Sequence, residues 1–435
     1  MEIHKGQQVG LVSFEGTASE VGKELAQVAG DAIVETLSRP ERKRPPAAEE
    51  VAAFVKACEQ MAPHWLEELE AMAEVLGVKA DDLLAANASP PIKPDEGCCT
   101  SFALAPDMTA TGAPILHKNR DFAVAAQIAY FKRVKGFKRF LGSASAWDLG
   151  TAHFMNESGL AGAPNTGSPV EDTNEGGVTD RHIMRLVAET ASSCEDAVAI
   201  VEEVVGRGLV CTENGRGFIL IFADPKGLVV VEHSGKKVAW RKVDEGFVVR
   251  SNHFVLPEMA EVMASEPDEN TKARFAAVQA EIAPGGPPWD VSRVFKVARK
   301  RGVCRGSTVS AFTHRISRQF PDVLSVAWVS IGPPLLSSFV PVPCCSAGVP
   351  EDWANGTAWV SPKPIEESEH SPKIEELESS EKALVEALAE ALDEARGNLR
   401  LGKRDLALKA LSRRLSEWAI KRKTTTISGA VKEEG

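Results

Sequence analysis

The chain has 435 residues, of which 43% are hydrophobic and 26% charged, the balance of a folded protein with material for a sizeable core. Its 61 acidic residues outnumber 50 basic ones, giving a net charge of −11; this argues against a nucleic-acid binder and points to small-molecule or protein partners. No apolar run approaches the roughly 18 residues of a membrane span, and the opening MEIHKGQQVG carries no apolar signal core, so no membrane association and a cytoplasmic location are expected.

The first hundred residues have helical spacing. Trp65, Leu69, Met72 and Leu76 form one apolar stripe, and Gly77 and Asp81-Asp82 precede a short second helix ending near Asn87. The proline-rich SPPIKPDEG cannot continue it. From Cys99 the texture changes to short strand-like runs bounded by turns. CTSFALA and PILHKN, around a turn ending at Gly112, predict a hairpin. TAHFMNESGLAGAPN predicts another, turning at Glu157-Ser158-Gly159.

Asp180 to Val205 has helical character, and GFILIFADPKGLVVVEHSGKKVAWRKV supplies at least three strands. Helices are expected at Glu269 to Ile282 and Val291 to Lys300, and strands at STVSAFTHR and DVLSVAWVSIG. Beyond Cys345 a polar linker leads to two amphipathic helices. Leu377, Leu384, Leu388 and Leu392 mark the first, and Leu408, Leu411, Leu415 and Trp418 the second, with Gly397 and Gly402 in the break. This hairpin could dock on the core or on a second copy of the chain. The order of elements predicts an α+β protein with helices stacked on antiparallel sheets.

Common signatures of phosphate loops, zinc sites and serine elbows are missing, and no metal or cofactor is expected. Eight cysteines are too few for a disulfide scaffold, yet four form the vicinal pairs Cys98-Cys99 and Cys344-Cys345. The second pair reads as structural. The first lies where helix gives way to strand, a place where a thiol can be exposed. The short basic clusters KRVKGFKR and RKRGVCR read as solvated surface.

GCCTSFAL, ILHKNRDF, FMNESGLAGAPNTG and the distant RSNHF, preceded by EGTASEVGKELAQVAGDAI and PHWLEELEAMAEVLGVKADDLLAAN, resemble in order the blocks of the acyl-coenzyme A:6-aminopenicillanic acid acyltransferase-like family of N-terminal nucleophile (Ntn) hydrolases. The resemblance spans about Glu15 to Pro341 and implies a four-layer αββα sandwich in a proenzyme that cuts itself before its nucleophile. The chain then divides into an N-terminal helical segment (1–98), a core (99–345), a linker (346–372), a helical hairpin (373–422) and a loose tail (423–435).

On this resemblance Cys99 is the nucleophile and the Cys98–Cys99 bond the cleavage site. Thr100 and Ser101 then follow in register, whereas choosing Cys98 would keep Gly97 as the preceding glycine. The freed α-amine, with an ordinary pKa near 8, would act as base. Asp121 resembles the acid that orients that amine, with Asn119 bracing its turn and Lys118 standing where relatives often carry arginine. Asn252 resembles the oxyanion donor and Asn165 a second asparagine bordering the substrate. His253 reads as a structural hydrogen-bonding group.

Ser307 and Thr308 occupy the place of a hydroxyl near the nucleophile, and Arg274 and Arg315 are alternative clamps for a substrate carboxylate. The expected activity is hydrolysis of a linear amide in a small acylated or peptide-like substrate through a thioester, or transfer of the acyl group to an amine. The rival expectations are a non-catalytic interaction scaffold and a redox sensor built on a Cys98-Cys99 disulfide.

Overall fold

A computed structural model describes residues 11–38, 47–88, 99–122, 127–286, 288–344 and 372–430. Fourteen strands among them form two sheets. The larger has the order β1 (Leu11–Gly16), β4 (Gln127–Val134), β5 (Phe140–Ser145), β6 (His153–Asn156), β7 (Ala161–Pro169), β8 (Arg216–Asp224), β9 (Gly227–His233) and β10 (Val238–Val243). The smaller runs β11 (Phe247–Arg250), β2 (Thr100–Leu104), β3 (Ile115–Asp121), β12 (Thr308–Arg315), β13 (Val326–Ile331) and β14 (Val340–Pro343).

Period-two alternation builds the layers. On β8 and β9, Ile219, Ile221, Leu228 and Val230 face the core shared with the smaller sheet. Their neighbours Phe218, Leu220, Phe222, Val229 and Val231 face a separate core. That second core is closed by α1 (Ala18–Leu37), α2 (Ala48–Met61), α3 (His64–Leu76), α4 (Ala80–Ala88), α5 (Asp180–Thr190) and α6 (Cys194–Gly206). The outer face of the smaller sheet is covered by α7 (Glu269–Ile282), α8 (Val291–Ala298) and the C-terminal hairpin, behind the one-turn helix α9 (Pro321–Leu324). The result is the αββα sandwich.

Two elements depart from the sequence expectation. Residues Leu11–Gly16 form a strand, paired in parallel with β4, where the helical texture of the first hundred residues hides six extended positions. The KRVKGFKR cluster is not all surface: it spans the β4–β5 turn, and Lys132 is buried, bonding Glu68 of α3 at 2.7 Å. Arg185 of α5 joins the same carboxylate at 2.5 Å and Glu189 at 2.8 Å. Three elements distant in sequence are thus locked by charges that would be costly to leave single. α1 crosses α3 so closely that a Cβ on Gly22 would lie 2.3 Å from the Glu68 carbonyl oxygen.

The hairpin consists of α10 (Pro372–Arg400) and α11 (Arg404–Ala430). α10 continues through Gly397, and the chain turns at Gly402 with φ of +70°, a conformation glycine adopts without strain. Leu384, Leu388, Leu392, Leu411 and Leu415 are buried in the core of the same chain, so this apolar stripe is covered in cis. Arg299 of α8 and Glu381 of α10 seal the junction with two bonds of 2.8 and 2.5 Å, and Glu381 also accepts from the Phe339 amide at 2.7 Å. No described helix is long and apolar enough to cross a membrane.

Candidate active site

Cys99 immediately precedes β2, a central strand of the smaller sheet, and is buried. Thr100 pairs with Asn119 and Ser101 with Lys118 on antiparallel β3. Continuing that register by one residue sets Cys99 opposite Arg120, next to Asp121. The sulfur lies 3.8 Å from the Asp121 carbonyl oxygen.

Asp121 ends β3 facing Thr308, the first residue of β12. Thr308 Oγ1 donates to Asp121 Oδ1 at 2.6 Å, while Oδ2 is buried with no hydrogen-bond partner among the described residues. Burial pushes the carboxyl up to about 6, opposed by the Thr308 bond and by the charges of Arg274, Arg305 and Lys118. Arg305 ends the RKRGVCR cluster, which is not all solvated surface: Arg299 is buried, and the Arg305 guanidinium bears on Asp121, with its Nη1 buried and without a hydrogen bond among the described residues.

Arg274, from α7, is the main brace. Its Nη1 donates to the Cys99 carbonyl at 2.6 Å and to Thr100 Oγ1 at 3.1 Å. Its Nη2 donates to Asn252 Oδ1 at 2.8 Å, and its Nε to Asn270 Oδ1 at 2.8 Å. A guanidinium committed to four protein acceptors is a scaffold for the site rather than a clamp for a substrate carboxylate. By accepting through Oδ1, Asn252 has its amide orientation fixed; Nδ2 donates one hydrogen to the Thr166 carbonyl at 2.8 Å.

The inner face of the smaller sheet brings positive charge to the sulfur. Lys118 alternates onto the Cys99 face and lies within hydrogen-bonding reach of the thiol, while also donating to the Pro164 carbonyl across the two sheets. Burial lowers its affinity for a proton, and the neighbouring Cys99 and Asp180 oppose this. Arg120 shares that face and bonds Gln127 and, at 3.4 Å, Ser145 Oγ.

Other expected residues have different places. Asn165 accepts from Ser101 Oγ at 2.7 Å and donates to the Arg250 and Ser251 carbonyls at 3.2 and 2.9 Å. Its amide therefore ties β7 to β2 and β11 instead of offering itself to a substrate. Asn119 points to the opposite face of β3, donating to the Ala298 and Val303 carbonyls at 2.9 and 3.1 Å and pairing with His117 at 2.9 Å. It braces α8 and the loop after it, away from the thiol.

Ser307 is partly exposed and accepts the Phe122 amide through its carbonyl at 3.0 Å; the hydroxyl that reaches Asp121 is that of Thr308. Arg315 pairs with Ile115 at the far end of β12, seven residues from Thr308 and so roughly 20 Å along the strand. His253 bonds Ser251 Oγ and Thr271 Oγ1 at 3.1 and 3.0 Å. Cys98 and Cys345 lie outside the described residues. Cys344 is buried, with its sulfur 3.1 Å from the Asn156 carbonyl oxygen.

Two stacked sheets between helical layers, a thiol at the head of a central strand, a buried carboxyl beside it and an asparagine tethered to it through one guanidinium define an Ntn-type hydrolase or acyltransferase. Residues 108–305 match the family described as acyl-coenzyme A:6-aminopenicillanic acid acyl-transferase, a segment that carries Asp121, Asn165, Asn252 and Arg274. Cys99 and Thr308 flank the matched stretch.

Among solved structures, a mutant conjugated bile acid hydrolase from Clostridium perfringens is 16% identical, with 56% of this chain and 92% of that one covered at a TM-score of 0.40. A second variant of that hydrolase is 14% identical with the same coverage and a TM-score of 0.41. An N-acylethanolamine-hydrolyzing acid amidase ortholog from Caenorhabditis elegans is 13% identical, with 49% and 92% covered at a TM-score of 0.35. No curated protein sequence matches the chain.

Proposed function

We propose that the protein is a self-processing N-terminal cysteine hydrolase, with Cys99 as nucleophile, that cleaves a linear amide bond in a small acylated or peptide-like substrate. The observation that carries this reading is Asp121. One of its carboxyl oxygens is held by Thr308, the other has no hydrogen-bond partner among the described residues, and its backbone carbonyl lies 3.8 Å from the Cys99 sulfur. A buried carboxylate oxygen without a donor is costly, and an α-amine on Cys99 would satisfy it.

In the processing step the thiol attacks the Cys98 carbonyl carbon, the Cys98–Cys99 C–N bond breaks, and the amine leaves with the thiol's proton. Water then hydrolyses the thioester, releasing a carboxyl-ended segment and restoring the thiol. In turnover the α-amine takes the thiol proton as sulfur attacks the substrate amide, then delivers it to the departing amine. The second Nδ2 hydrogen of Asn252 serves the tetrahedral oxyanion, with Lys118 adding positive charge.

Water completes hydrolysis; an amine in its place completes acyl transfer, a second outcome favoured by the description of the matched family. The chemistry requires a free thiol, which suits a reducing compartment such as the cytoplasm.

Intact-mass spectrometry tests the reading. Processing gives two chains, residues 1–98 and 99–435, replaced by a single chain in Cys99→Ala. Full-length protein that nonetheless turns over amides, or cleavage that survives in Cys99→Ala, would overturn it.

A further inference from the structure

The far end of β12 and the C-terminal hairpin enclose a cavity of about 860 Å³ that is separate from the thiol. Four arginines line it, Arg315 and Arg318 from the end of β12 and the loop after it, Arg396 and Arg400 from the end of α10, against a single carboxylate, Asp393. In a chain of net charge −11, this is a local surplus of cations on two elements that meet only through tertiary packing.

Internal bonds leave much of their donor capacity unused. Arg315 gives Nη2 to the Leu324 carbonyl at 3.2 Å, and its Nε is buried with no hydrogen-bond partner among the described residues. Arg396 pairs with Asp393, and Arg400 reaches Gln319 Oε1 at 3.3 Å. Burial pushes Arg315 down to about 10, and the charge of Arg396 acts in the same direction. Guanidinium groups gathered in this way repel one another, and an anion entering between them replaces repulsion by charge-assisted hydrogen bonds. Planar forks match phosphate oxygens two at a time, and the volume suits a small organic ligand rather than a lone ion.

We propose that this cleft binds a small phosphorylated molecule carrying at least two negative charges, which bridges the hairpin to the end of β12. The ligand would clamp the hairpin onto the catalytic core without touching Cys99.

The test uses the full chain and inorganic pyrophosphate as probe, with calorimetry and thermal unfolding at ionic strength matched by sodium chloride. Saturable heat and a rise in Tm are expected, unchanged in Cys99→Ala. Arg396→Gln and the exposed Arg400→Gln should each weaken binding about tenfold. No saturable heat, or equal affinity in the Arg396→Gln/Arg400→Gln double variant, would overturn the proposal.

Discussion

One guanidinium joins Cys99 to Asn252: Arg274 donates to the Cys99 carbonyl at 2.6 Å and to Asn252 Oδ1 at 2.8 Å. The positions of the nucleophile's backbone and of the amide proposed for the oxyanion are therefore one variable. Arg274→Lys keeps the charge but cannot span both acceptors. It should lower kcat by about a hundredfold, on the scale of a lost oxyanion donor, with little change in KM. Combined with Asn252→Ala, the losses should fall well short of additive. Full additivity in the double-mutant cycle would rule out the coupling.

On the proposed mechanism Asp121 should set the acid limb of activity. Its carboxyl, raised to about 6 chiefly by burial, must be ionised to hold an ammonium or amine, so kcat/KM should fall as pH drops through that value. The stability effect has the opposite sense. For a group whose folded pKa is raised, the contribution is full below the unfolded value near 3.8 and lost as pH rises through about 6. Asp121→Asn should abolish activity yet stabilise the fold at neutral pH by up to about 3 kcal/mol, a gain that vanishes below about pH 4. Urea denaturation at both pH values measures this, and a destabilised variant at neutral pH would contradict it.

Three buried histidines act against Asp121. Burial lowers His117 to about 4 and His182 and His314 to about 3, so each stays neutral in the fold while the unfolded chain protonates below about 6.5. Their contribution is present above 6.5 and is lost as pH falls from there through their folded values, each at about 1.4 kcal/mol per pH unit. Net stability should decline between pH 6 and 4. His314, with both ring nitrogens lacking hydrogen bonds among the described residues, offers the clean test: His314→Leu should flatten the slope by one proton.

The hairpin should depend on Glu381. Glu381→Ala leaves Arg299 buried without its counter-charge, at a cost of about 3–5 kcal/mol. The expected readout is protease cutting within α10 and α11 at concentrations that leave the parent chain whole. Equal protection in the variant would mean that the leucine stripe alone holds the hairpin.

The antiparallel hairpins, α7 and the apolar faces of the C-terminal helices were legible because each is written in local periodicity over adjacent residues. β1 was not: its partner β4 begins more than a hundred residues later, and a six-residue edge strand beside long helices has little pattern of its own. The sequence also identified the residue types near the thiol better than their duties. Asn119 and Asn165 stand where the motifs set them, but strand alternation and cross-sheet bonding turn their amides to structural partners.

Periodicity in the sequence sufficed for helices stacked on antiparallel sheets, and the resemblance carried by its motifs for the four-layer order, the strand headed by Cys99 and the neighbourhood of Asp121 and Asn252. Tertiary structure alone separated Arg274 from Arg315, two arginines on equal footing in the sequence. Strand register carries Arg315 to the remote end of β12, while α7 brings Arg274 to the carbonyl of Cys99, 175 residues away in the chain. A guanidinium's role is set by the acceptors it meets, and those acceptors are assembled by long-range packing that no local pattern encodes.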